Sequence, residues 1–307
     1  MKAVIISELN KIYKPNLLAI SNMNLSVDIG DFFALLGPNG AGKSTTIGIL
    51  TSLIKKSSGK IYVFGYDLDL DFYLIKNFIG FVPQEFNFNQ FETVMEIIIN
   101  QAGYYGISKS QAIKNVEYYL HKLNLWEKRN IISRNLSGGM KKKLMIIRAL
   151  IHEPKILIID EPTSGIDIEL RHFLWDFLIN LNKNGVTIIL STHYLEEVEL
   201  LCNKVAIINK GFVLLNTIVK DLFVNAKKQT LICEILNKNI NLPTICDFNI
   251  YKIGETTLEV VLTENYTLND LFIFFNKFNI IVISIKNKIN RLEELFINII
   301  NLDKKKI

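Results

Sequence analysis

Phe32-Phe33-Ala34-Leu35-Leu36 runs without a break into Gly37-Pro38-Asn39-Gly40-Ala41-Gly42-Lys43-Ser44-Thr45. Five consecutive apolar residues fit a central strand buried on both faces. The residues that follow match the spacing G-x-x-x-x-G-K-[ST]. Glycines there let backbone N–H groups close around phosphate oxygens, and a helix opening directly behind them adds the positive end of its dipole. Thr46 to Leu53 reads as that helix. Lys43 is then placed to reach the β- and γ-phosphates of a nucleotide, and the Ser44 hydroxyl to ligate Mg²⁺. A glycine-rich turn that only caps a helix is the competing reading, and it leaves the preceding strand unaccounted for.

Two further apolar runs end in polar residues. Ile156-Leu157-Ile158-Ile159 leads into Asp160-Glu161, and Val186-Thr187-Ile188-Ile189-Leu190 into Ser191-Thr192-His193. The carboxyl ends of buried parallel strands are where α/β sheets bind ligands. Asp160 is placed to hold Mg²⁺ and Glu161 to act as general base toward a water, because one carboxylate does not serve both equally well. His193, on the third strand of this type, is placed toward the γ-phosphate. Leu136-Ser137-Gly138-Gly139-Met140 precedes an amphipathic helix with Leu144, Ile147 and Leu150 on one face. Small residues with exposed N–H groups at a helix start form a second anion site. One γ-phosphate rarely needs two, so this one is read as serving the nucleotide of another subunit.

Taken together these segments resemble the ATP-binding subunits of ABC transporters, over roughly Met1 to Gly211. The phosphate loop, Asp160-Glu161, the signature Leu136–Met140 and the switch His193 stand in the family's order and approximate spacing. Gln84, in Val82-Pro83-Gln84-Glu85, matches the family's Q-loop glutamine, Ser164-Gly165-Ile166-Asp167 its D-loop, and Tyr13 the aromatic that stacks on adenine. The resemblance implies ATP and Mg²⁺, with Gln84 reaching both the metal and the γ-phosphate. It also implies a head-to-tail dimer in which Ser137, Gly138 and Gly139 of one copy cover the phosphates held by Lys43 of the other. An integral membrane permease subunit is the implied partner, and no nucleic acid. Met140 in place of glutamine, Gly165-Ile166 in place of Ala-Leu, and His193-Tyr194-Leu195-Glu196-Glu197 resemble the ABC-2-type exporter branch. Phe86, Phe88 and Phe91 either line a groove for that partner or belong to the core.

The implied fold is α/β: a P-loop NTPase cassette with a RecA-like parallel core, antiparallel β and helical subdomains, over residues 1–222. The helical subdomain falls at about 85–135. A small α+β accessory domain over 223–307 is expected from Thr230–Leu236, Phe248–Ile253 and Thr257–Leu262 as strands, Leu268–Phe278 as a helix, and Ile280–Ile285 as a strand. A closing helix, Arg291–Asn301, carries Leu292, Leu295, Phe296 and Ile299 at helical spacing.

The bulk numbers agree. Hydrophobic residues make up 49% of the 307 and charged residues 21%, with a net charge of +5. Mean hydropathy is +0.24. A large α/β core absorbs that apolar content. No apolar run reaches the roughly 18–20 residues that span a bilayer, and the N-terminal Val4-Ile5-Ile6 is too short for an export signal. The expected location is the cytoplasm, peripheral on the inner face of the plasma membrane. Three scattered cysteines, Cys202, Cys233 and Cys246, read as reduced buried thiols. The runner-up function is a soluble ATPase of the same family acting on DNA or the ribosome. Against it stand the single cassette and the absence of a long coiled coil in the roughly 90 residues between Lys43 and the signature.

Overall fold

All five side chains of the strand Phe32–Leu36 are buried, as a parallel strand covered on both faces requires. The computed structural model describes residues 1–224, 228–236, 248–263, 266–288 and 296. The chain divides into two units, Met1–Val219 and Lys220–Ile307, three residues before the boundary expected from sequence.

Unit 1 begins with β1 (Lys2–Tyr13), β2 (Leu17–Asp28), β3 (Phe32–Leu36), α1 (Lys43–Leu50), β4 (Ser58–Val63), β5 (Tyr66–Asp67), α2 (Phe72–Ile75) and β6 (Ile79–Val82). There follow α3 (Val94–Tyr104), α4 (Lys109–Lys122) and α5 (Gly138–Leu150). It closes with β7 (Ile156–Asp160), α6 (Ile168–Lys183), β8 (Thr187–Thr192), α7 (Leu195–Leu201), β9 (Lys204–Asn209) and β10 (Phe212–Ile218). A four-stranded antiparallel sheet has the order β2-β1-β4-β5. A six-stranded sheet has the order β10-β9-β3-β8-β7-β6, parallel throughout except for the antiparallel β10. One apolar cluster joins both: Ile6, Leu9, Ile20 and Met23 from the first sheet, Phe33, Leu35, Ile158 and Ile208 from the second, with Ile47 and Leu50 of α1 among them. Each such side chain contributes about 1.5–3 kcal/mol when fully buried.

The helical segment expected near 85–135 contains α3 and α4. A full capping box at Thr93 and Glu96 starts α3, and the Ser108 hydroxyl caps α4. Helix α1 begins at Lys43, three residues earlier than the sequence indicated, because Gly42 at φ 106° turns the chain directly into it. Such a φ is strained for any residue with a Cβ.

α8 (Val219–Val224) spans the division. Unit 2 contains β11 (Lys228–Ile235), β12 (Asn249–Lys252), β13 (Thr257–Thr263), α9 (Leu268–Lys277) and β14 (Val282–Asn287), with sheet order β12-β13-β11-β14. Leu271, Phe274 and Phe275 of α9 pack on Leu231, Cys233, Leu258 and Val260. Strand alternation buries Leu258, Val260 and Leu262 against that helix. The expected closing helix Arg291–Asn301 and Cys246 lie outside the described residues, apart from Phe296. Cys202 and Cys233 are free and buried.

Candidate functional site

The site grows from the carboxyl ends of β3, β7 and β8. At the end of β3 the backbone of Gly37 passes so close to β9 that an added Cβ would lie 2.3 Å from the Ile208 carbonyl oxygen. At Gly42 it would lie 2.7 Å from the carbonyl of Ala19. The loop is therefore clamped between the two sheets, and its amides are fixed before any ligand arrives. Lys43, only 5% exposed, folds its ammonium back on the loop, donating to the carbonyls of Gly37 at 2.8 Å and Pro38 at 3.1 Å. Burial lowers its pKa, and the facing Glu161 and Asp160 oppose that shift. Two carbonyl dipoles are weak partners for a buried cation, so an anionic phosphate is a better one.

The Ser44 hydroxyl donates to Asp160 Oδ1 at 3.3 Å, and the Ser191 hydroxyl donates to the same oxygen. Glu161 follows with φ 47°, a left-handed turn out of β7 that re-aims its carboxylate. Its N–H donates to the carbonyl and hydroxyl oxygens of Ser191, both at 3.2 Å. Gln84 Nε2 donates to Glu161 Oε2 at 3.0 Å, and His193 Nδ1 lies 3.1 Å from Oε1. The Lys142 ammonium, 3% exposed, donates to the Glu161 carbonyl at 3.3 Å, with its pKa lowered by burial. One hydrogen-bonded chain thus connects Ser44, Asp160, Ser191, Glu161, Gln84 and His193.

The remaining candidates stand elsewhere. Ser137 caps α5, accepting from the Met140 N–H at 3.3 Å, and Gly138 has open space where a Cβ would be. A Cβ on Gly139 would lie 2.3 Å from Leu170 Cδ2. Asp167 caps α6, accepting from Leu170 N–H at 2.8 Å. Among the described residues no hydrogen bond joins Ser137, Gly138 or Gly139 to residues 37–45. Tyr13 ends β1 opposite Leu17, with the Lys11 ammonium 4.6 Å from its ring centre. Phe86 and Phe91 are 47% and 74% exposed, which rules out the core reading for both.

Ser191 and Lys142 were missed from sequence. Lys142 sits in the run Lys141-Lys142-Lys143 and looks like its solvated neighbours. The signal was available: 142, 145, 146 and 149 share one helical face, and the last three are Met, Ile and Ala.

The profile of the family described as "ABC transporter" matches residues 20–164. The linearmycin resistance ATP-binding protein of Bacillus subtilis (strain 168) is 39% identical over 192 residues, 62% of either chain. A Nod factor export ATP-binding protein I of Rhizobium etli is 37% identical over 211 residues, 69% of this chain and 66% of that one. The chain therefore spans a little under two thirds of these relatives. Among solved structures, an ATP-binding subunit of an ABC transporter superposes with TM-score 0.66 at 29% identity, covering 72% of this chain and 91% of that one. A dimeric ATP-binding cassette bound to ADP and phosphate superposes with TM-score 0.65 at 28% identity, covering 70% and 98%.

Proposed function

Since this chain belongs to the ABC transporter family, we propose that it binds and hydrolyses ATP as the nucleotide-binding subunit of an ABC-2-type membrane exporter. The observation that carries the hydrolytic part is Glu161: a carboxylate held from both sides by Gln84 and His193 at 3.0 and 3.1 Å, one residue from the carboxylate that faces Ser44.

The residues fit Mg²⁺. Ser44 and Asp160 offer hard oxygens 3.3 Å apart, the donor type Mg²⁺ takes alongside nucleotide phosphates and water. Among the described residues no cluster of three His, Cys, Asp or Glu side chains could hold a metal alone. When bound, the metal supplies charge neutralisation between the phosphates. The amides of 37–45 cradle the phosphates, and Lys43 leaves its own loop's carbonyls for them. Glu161 takes a proton from the attacking water, Gln84 and His193 orient that carboxylate, and His193 lies on the γ-phosphate side. Removing such a base costs roughly 10²–10⁴-fold in rate.

The outward-facing Ser137–Gly139 caps another copy's nucleotide in a head-to-tail dimer, with Asp167 beside that interface and Tyr13 against adenine. Closure of the pair drives a membrane partner and hydrolysis resets it. No helix among the described residues is long and apolar enough to cross a membrane; in this reading the membrane partner spans the bilayer. The names of the relatives, one for antibiotic resistance and one for Nod factor export, support the exporter reading. The test is ATP turnover of the purified chain together with detergent co-purification from native membranes. Expected are Mg²⁺-dependent turnover lost in Glu161→Gln, and an integral membrane protein in equal amount. Co-purified ribosomes or DNA without a membrane protein would overturn the transport reading.

A further inference from the structure

Behind the two loops that carry Glu161 and His193 lies a carboxylate the mechanism above does not use. Glu197, on α7, is 1% exposed. Its Oε1 accepts the hydroxyl proton of Thr163, itself 1% exposed. Thr163 immediately precedes Ser164-Gly165-Ile166-Asp167, the segment leading from Glu161 to the cap of α6. Oε2 closes no hydrogen bond, and α7, which carries Glu197, begins two residues after His193. Thr192 is fully buried and directly precedes His193. Its carbonyl accepts from the Gly37 N–H at 3.4 Å, and its hydroxyl from the Tyr194 N–H at 2.9 Å.

A buried carboxyl costs several kcal/mol to desolvate unless its environment uses it. Alternatives of the same volume without a polar group would pack this space at less cost. Here burial raises the carboxyl's pKa, while Thr163, Thr192, Trp175 and Arg171 pull it down. The Thr163 hydroxyl thus joins the loop after β7 to α7, the helix that opens directly behind His193.

We propose that Glu197 is a positioning residue for hydrolysis, a buried fastener that ties the Thr163–Asp167 loop, through α7, to His193. Glu161 and His193 meet at 3.1 Å across the gap between their loops, and loosening either one separates them. Glu197 touches neither nucleotide nor the reacting water. Its loss therefore lowers kcat while ATP affinity is largely kept, because Lys43, Gly42 and Tyr13 stand on other elements and only the Gly37 N–H reaches Thr192. The inference rests on the ATPase reading for its kinetic consequence and on the Thr163–Glu197 hydrogen bond for the link itself.

The test compares Glu197→Ala, Glu197→Gln and Thr163→Val in the full chain with wild type. Two readouts are taken: steady-state ATP turnover with ATP Kd, and amide hydrogen exchange of residues 163–167 and 191–194 without nucleotide. Expected is a kcat loss of about 10-fold or more in Glu197→Ala and Thr163→Val, with Kd within about 2-fold of wild type. Exchange should speed up in both segments together, on the order of tenfold. Glu197→Gln, which keeps an acceptor for Thr163, should recover most of both. Wild-type kcat in Thr163→Val, exchange rising in only one segment, or glutamine no better than alanine overturns the proposal. Should Glu197→Ala fail to fold, Thr163→Val reads the same link without altering the carboxyl. A wild-type chain that hydrolyses no ATP overturns the ATPase reading alone, since exchange still reports the fastener.

Discussion

His193 Nδ1 lies 3.1 Å from Glu161 Oε1 although the two residues are 32 apart in the chain. The contact exists because β7 and β8 are parallel neighbours with Asp160 paired to Ser191, so the residues just past each strand end face one another. Glu161→Gln keeps the shape and a carbonyl acceptor but cannot take a proton. It should retain ATP binding and lose turnover by about 10²–10⁴-fold. Equilibrium ATP binding beside steady-state turnover checks this, and an unimpaired rate would sink the base assignment.

The clamped glycine at 42 gives a stability prediction. Gly42→Ala places a Cβ 2.7 Å from the Ala19 carbonyl at a φ of 106°. Strain at a left-handed site costs about 1–3 kcal/mol, and the clash adds to it. Urea unfolding should show at least that loss, together with weakened ATP binding, because the loop amides shift with the backbone.

Separate copies should complement one another. A mixed dimer with Ser137 altered in one copy and Lys43 in the other keeps one composite site intact. Expected is turnover below wild type but above either parent homodimer. A mixed dimer as active as wild type would refute nucleotide sharing across the interface.

His152 gives a pH prediction. Its ring stacks on Tyr105 with centres 3.7 Å apart, and burial depresses its pKa to about 4 against the carbonyl of Ile79, which raises it. The unfolded chain binds a proton near pH 6.5 and the folded one only near 4. Stability from this group is thus complete above about 6.5 and declines as pH falls toward 4, by roughly 3 kcal/mol. His152→Gln should flatten that part of the stability-versus-pH curve in denaturant titrations at pH 7, 5.5 and 4.5.

Arg148 donates to the carbonyl of Asn87 at 3.0 Å and to its side-chain oxygen, joining α5 to the loop that carries Gln84. Removing a charged donor from such a pair costs about 1–3 kcal/mol. Arg148→Ala should show that loss in urea unfolding, and Arg148→Lys should recover only part of it, since a single ammonium does not reproduce the two-pronged contact.

The phosphate loop, the carboxylate pair and the strands that end in them were legible because each couples a short-range spacing to a buried apolar run. Gln84 was legible only through family likeness, and His193 only by its place after a third buried run; nothing in their immediate neighbours marks them as facing Glu161. The tertiary helpers were silent. Ser191 lies at a strand end like many serines, and its contact to Asp160 depends on which strands pair, a long-range outcome. Glu197 sits in the acidic run Glu196-Glu197-Val198-Glu199, where sequence alone does not single out the one that turns inward. Phe86 and Phe91 were ambiguous for the opposite reason, since aromatic residues near a core pattern read the same whether they face in or out.

The left-handed turn at Glu161 bears on how this chain responds to random mutagenesis. At φ 47° the position favours glycine or asparagine over a long side chain. A library screened only for thermal resistance should therefore enrich Glu161→Gly and Glu161→Asn, while one screened for transport should purge them. Position 161 would then be where fitness for folding and fitness for work diverge, and stabilisation guided by backbone preference alone would produce a sturdier protein that no longer turns over.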